Sequence, residues 1–172
     1  MATWTTTVTN KGTELQAKQV SGAKILFTRI VTSTDSVYVT KLKEQTAINN
    51  IKQTLSMASV AVTGNQYVLK VLLSNNNLSE SYNLSQIGFY ANDPDDGEIL
   101  FAIAQIDKVR KIPDSENSPG FGIEFAFTFQ NANNATIEIT PDMASYMVRE
   151  DIEDLVDSKI SDSVELGPDI TE

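Results

Sequence analysis

Gly122-Ile123-Glu124-Phe125-Ala126-Phe127-Thr128-Phe129-Gln130 is the stretch that decides the fold. Ile123, Phe125, Phe127 and Phe129 recur at every second position, with Glu124, Ala126 and Thr128 between them. A strand points successive side chains to opposite faces, so a period of two gathers the aromatics on one side. One dry face and one wetter face is the pattern of an antiparallel sheet laid on a core.

Upstream, Gln66–Ser74 repeats the alternation through Tyr67, Leu69, Val71 and Leu73. Leu55–Thr63 precedes it, with Ala58, Val60 and Val62 read as one face, and Gly64-Asn65 between the two predicts a hairpin. Leu84–Ala91, with Ile87, Phe89 and Ala91 alternating, and Glu98–Ile106 flank Asp93-Pro94-Asp95-Asp96-Gly97. There Pro presets φ and Gly tolerates positive φ, which is turn chemistry. Lys24–Val31 is β-branched and aromatic, and Ser36–Lys43, through Val37, Val39 and Leu42, reads as a further strand. Downstream, Asp114–Gly120 is a polar loop, Asn131–Asn134 a turn, and Thr136–Thr140 a last strand carrying Ile137 and Ile139. Many short strands with polar turns predict a mainly β fold, an antiparallel sandwich or barrel.

A helix is expected near each end. Thr5-Thr6-Thr7-Val8 is extended, Thr9 or Asn10 offers an N-cap, and Lys11–Val20 is rich in helix formers before Ser21-Gly22. Leu15 and Val20 are its expected anchors, and Gly12 weakens it. Val148–Ser163 lacks Gly and Pro and spaces Ile152, Leu155, Val156 and Ile160 by three and four. Such spacing is an amphipathic stripe. An isolated helix of that length is marginal in water, so the stripe needs a partner. These four residues are the predicted oligomer or partner interface. The chain thus divides into a β-rich body, 1–140, and an acidic helix and tail, 141–172.

The chemistry is narrow. The chain has no Cys and no His, so disulfides, thiolate nucleophiles, Ser-His-Asp triads and His-ligated metals are excluded. Net charge is −10, and residues 149–172 hold nine acids against two bases, leaving the first 148 residues at −3. Such a surface repels phosphate backbones and anionic lipids, so neither nucleic acid nor membrane is an expected partner. No apolar run is long enough to span a bilayer, and the opening residues lack the basic-then-apolar pattern of a secretory leader.

The acidic turn Asp93–Glu98 fails the spacing of a calcium loop because Pro94 intervenes, and it reads as structure. The carboxylates of the tail read as a solvated face, not as an acid–base pair. Lys108, Arg110 and Lys111 cluster beside Ile112-Pro113. They read as loop charges, or as a seat for an acidic partner such as the tail helix of another copy. Trp4 with the Asn75–Asn77 loop is the candidate for a small glycan-binding module that contacts the host surface directly. No enzyme, no cofactor and no metal are expected.

Thr9-Asn10-Lys11-Gly12, followed by Leu15 and Ala17-Lys18, is similar to the TN-x-G-x-x-L-x-A-K opening of phage tail-collar fibre proteins. Phe27-Thr28-Arg29-Ile30 resembles their next strand. Gln86-Ile87-Gly88-Phe89-Tyr90-Ala91-Asn92-Asp93-Pro94-Asp95-Asp96-Gly97-Glu98-Ile99-Leu100-Phe101-Ala102 resembles their E-I-G-L-F-A-x-D-P-D-D-G-E-I-L-F-A signature. Gln86 stands where that pattern has an acid. The resemblance covers about residues 5 to 140. It implies the N-terminal, baseplate-attaching module of a tail fibre, in a phage or a tail-like particle, usually trimeric. Baseplate proteins and a distal fibre or receptor-binding protein are the implied partners. The expectation is a shortened fibre without shaft or receptor-binding tip, or a short adaptor whose acidic helix grips a separate fibre protein.

Overall fold

The computed structural model describes residues 2–18, 24–130 and 136–139. The order is β1 (Trp4–Val8), α1 (Asn10–Lys18), β2 (Lys24–Ser33), a 3-10 helix (Val39–Glu44), β3 (Ile51–Thr63), β4 (Gln66–Ser74), β5 (Tyr82–Asp93), β6 (Gly97–Ile112), β7 (Gly122–Gln130) and β8 (Thr136–Ile139). The C-terminal helix, Val20, the Ser21-Gly22 stop and the Asn131–Asn134 turn lie outside the described residues.

Seven strands pair antiparallel in the order β1-β6-β5-β2-β3-β4-β7, and β8 joins β2 in parallel. β3 turns the corner, pairing with β2 through Ile51–Leu55 and with β4 from Ser56 onward. β8 takes the edge of β2 that β3 leaves, with Phe27 opposite Ile139. The sheet curls until its two edge strands meet through side chains: Trp4 of β1 packs edge-on against Phe125 and Phe127 of β7, both at 5.6 Å. The result is close to a barrel, mainly β as predicted.

Phe27, Tyr67, Phe89, Phe101, Phe125, Phe127 and Phe129 fill the interior with Leu15 of α1. Phe89 meets Phe127 and Phe129 edge-on at 5.2 Å, a favoured aromatic geometry. Tyr67, Leu69, Val71 and Leu73 all point inward as predicted. The Tyr67 hydroxyl is buried without a hydrogen-bond partner among the described residues, and burial pushes its pKa up.

Bulges explain where simple alternation fails. β3 slips between Met57 and Ser59, so Leu55 and Met57 point inward before the slip and Val60 packs on the core after it. The expected Ala58-Val60-Val62 face is only its far half, and Val62 is 50% exposed. β2 slips at Thr28 and β6 at Phe101, each bulge reversing which side chains face inward.

The central strands are buried on both faces. Val31, Tyr90, Leu100 and Ile103 form a second, outer cluster with Leu42 and Ile48. Residues 34–50 cover this face. Ser36–Lys43 is therefore not a strand: residues 35–38 are unpaired and Val39–Glu44 is 3-10 helix. Its backbone bonds are local (Lys41 N–H to Tyr38, Gln45 N–H to Leu42), and Leu42 caps the apolar outer face while Val39 stays 56% exposed.

Candidate docking surfaces

Helix α1 is clasped onto the β5–β6 hairpin. Thr9 is its N-cap: the hydroxyl accepts the Gly12 N–H at 3.0 Å and donates to the Leu100 carbonyl at 2.5 Å. The Thr9 N–H donates to the Phe101 carbonyl at 2.9 Å. Gly12 is needed because a Cβ there would collide with the Phe101 oxygen and lie 2.8 Å from Val8 Cγ1. At the other end of the helix Lys18 bonds Asp93 and Asp95, each at 3.0 Å, and Lys11 reaches Asp96 at 3.4 Å.

Asp93 is 2% exposed, the one buried acid among the described residues. Burial raises its pKa, but the N–H groups of Asp95 and Asp96 and the Lys18 ammonium outweigh that and hold it below the usual carboxylate value. Hydrogen bonds to Asp93 and Asp95 hold Lys18 above the usual lysine value. The acidic turn thus takes a lysine as its counter-ion. Among the described residues no group of acids is placed to hold a metal ion.

Arg29 pairs with Glu98 at 2.9 Å and lies 4.1 Å from the Tyr90 ring centroid. Thr28 donates to the same carboxylate at 2.6 Å. The Tyr90 hydroxyl accepts the Ile48 N–H at 2.9 Å. Gly88 leaves room for Ile48, whose side chain would meet a Cβ there. All three stretches that resemble the fibre pattern therefore close on one another around the start of β6.

Gln86 is fully buried on the outer face. Its amide donates to Gln105 at 2.7 Å and Gln45 at 3.1 Å. Gln105 in turn donates to the Val37 carbonyl at 2.7 Å and accepts the Val37 N–H at 3.0 Å. This amide ladder fastens the covering loop to the sheet. The sequence marks Gln86 only as a departure; its role depends on a covering loop whose Ser36–Lys43 part carries the pattern of a strand.

Ile152, Leu155, Val156 and Ile160, the predicted interface, lie outside the described residues. Trp4, the aromatic of the glycan-binding candidate, begins β1 and is half-buried in the seam with β7. Asn75 is buried, its amide within 2.8–3.1 Å of the Pro113, Asp114 and Ser118 carbonyls, where it ties two loops together. Lys108, Arg110 and Lys111 sit on β6 itself, all exposed. Tyr38 is 85% exposed beside a shallow open hollow lined by Ser36, Val37, Tyr38 and Lys41.

Comparison of the chain with models of known families, with curated proteins and with solved structures finds no match.

Proposed function

We propose that the chain is a non-enzymatic structural part of a phage tail or tail-like particle. In this reading it is the N-terminal module of a tail fibre, or a short adaptor joining the baseplate to the receptor-binding fibre during host attachment. It is assembled in the host cytoplasm and carried in the virion. The carrying observation is the closure of the three pattern-bearing stretches on one hairpin: Thr9 and Gly12 on Phe101, Lys18 on Asp93, Arg29 on Glu98. Residues that resemble the pattern are spent on holding the body in shape, which fits a scaffold. Its partners are then baseplate proteins, a distal fibre protein and further copies of itself, three in the expected arrangement. The stripe Ile152, Leu155, Val156 and Ile160 suits helices packed round an axis.

The test is twofold. Light scattering on the full chain should give an oligomer, and imaging of the intact particle should place the chain between baseplate and fibre. A monomer that neither a baseplate nor a fibre protein retains would overturn the reading.

A further inference from the structure

β6 carries an arm, bulged away from β5, whose exposed side chains the rest of the body does not use. Gln105 pairs with Gln86 and Arg110 with Leu84, so residues 106–109 stand opposite Ser85 alone. Asp107 is tied back to Thr3 through two hydrogen bonds, at 2.8 and 3.0 Å. Beyond it Lys108, Val109, Arg110 and Lys111 are all exposed, Val109 by 58%. Elsewhere Lys11, Lys18, Arg29, Lys41 and Lys70 each face a carboxylate. Lys108, Arg110 and Lys111 have no ion-pair partner among the described residues. Lys108 and Arg110 alternate with Val109 and Lys111 along the strand, so three open cations and an exposed valine make a short basic strip with an apolar residue in it.

We infer that this arm seats the acidic segment 149–165 of a second copy of the chain. The segment is the chemical complement of the arm: Ile152, Leu155 and Val156 are flanked by Glu150, Asp151, Glu153, Asp154 and Asp157. Opposite charge selects the partner, and the apolar groups gain by leaving water. The inference deepens the assembly reading above, which supplies the second copy.

Geometry favours a neighbouring copy. β8 ends at Ile139, level with Phe27 and hence with Ala91. The arm rejoins β5 at Leu84, seven residues along, or roughly 23 Å. The arm also lies on β6, on the far side of β2 and β5 from β8. Straight continuation of β8 is blocked where β2 and β3 pair from Ile30 and Leu55 onward. Ten residues reach at most about 33–36 Å fully extended, so a chain seating its own segment would need a largely extended link. A second copy has no such constraint.

The experiment mixes heavy-isotope and unlabelled full-length chains and joins lysines to carboxylates with a zero-length carbodiimide. The expected result is heavy–light peptide pairs linking Lys108 or Lys111 to acids between Glu150 and Glu165. The variant Lys108→Ser/Arg110→Ser/Lys111→Ser should self-associate about tenfold more weakly, as loss of a few exposed ion pairs implies. If that variant melts lower than the parent, high salt on the parent replaces it and should remove the same pairs. Links confined to one copy, or self-association that neither the variant nor salt weakens, would overturn the inference. The proposed place in the particle would still stand, because retention by baseplate or fibre protein is read separately.

Discussion

The N–H of Thr9 donates to the carbonyl of Phe101 at 2.9 Å, and Phe101 is the residue that β5 skips in its pairing with β6. A bulge leaves a residue out of the ladder on that side. The carbonyl itself points the other way: Thr9 follows Val8, which pairs with Ala102, so the bond extends the β1–β6 ladder by one residue, and Gly12 lies directly over it.

Gly12→Ala is therefore expected to destabilise the protein. In an exposed helix the change gains about 1 kcal/mol. At this site overpacking against Phe101 and Val8 costs roughly 1–3 kcal/mol or more, and the backbone carbonyl cannot step aside. Urea unfolding should show a lower midpoint with an unchanged slope; a raised midpoint would mean the helix is not held against β6.

The clasp at Asp93 sets a pH window. Its carboxyl is held below the usual value, so its contribution is full above the unfolded value, near 3.9, and is lost as pH falls toward the folded one. Lys18 is held above its usual value. Its contribution is full below about 10.4 and is lost as pH rises through the folded value. Thermal midpoints should be flat in the neutral range and fall on both flanks, with Lys18→Met reducing the alkaline fall and Lys11, Tyr67 and Tyr82, all held above their usual values, supplying the rest.

Gln86→Glu tests the amide ladder. A carboxyl enclosed between Gln45 and Gln105 titrates above the ordinary value of about 4.3. The folded state then holds the proton longer than the unfolded one, so stability falls as pH rises through that window. The variant should match the parent in acid and lose roughly 1–3 kcal/mol at neutral pH, as chemical unfolding at the two pH values will reveal.

Trp4→Ala should open the seam between the two edge strands. Losing a large, half-buried ring costs about 3 kcal/mol, the lower end for such truncations. Amide exchange should quicken across β1 and β7, while the β5–β6 ladder keeps its protection.

The strands with one regular face were legible: Tyr67 to Leu73 and Phe125 to Phe129 point inward in strict alternation. Reading failed where a bulge reversed the face, as at Ala58, because the slip leaves no mark in the hydrophobic period. It failed again at Ser36–Lys43, whose conformation is set by an apolar outer face that only the assembled sheet creates. Gly12 looked like a weakness of the helix and is a requirement of its contact with β6. The arm at Lys108–Lys111 was visible as charge, but its exposure and want of partners depend on the wide bulge of β6 opposite Ser85.

The seat of β8 also determines how the body meets a mechanical load. Force applied beyond Ile139 enters through a four-residue strand laid along one margin of β2. Because the straight path is closed by the β2–β3 pairing, tension would peel that strand away bond by bond instead of shearing its ladder at once. Once that strand parts, the load passes back along the chain to β7, one side of the aromatic seam. Under strain β8 would yield first, giving slack before the seam is loaded.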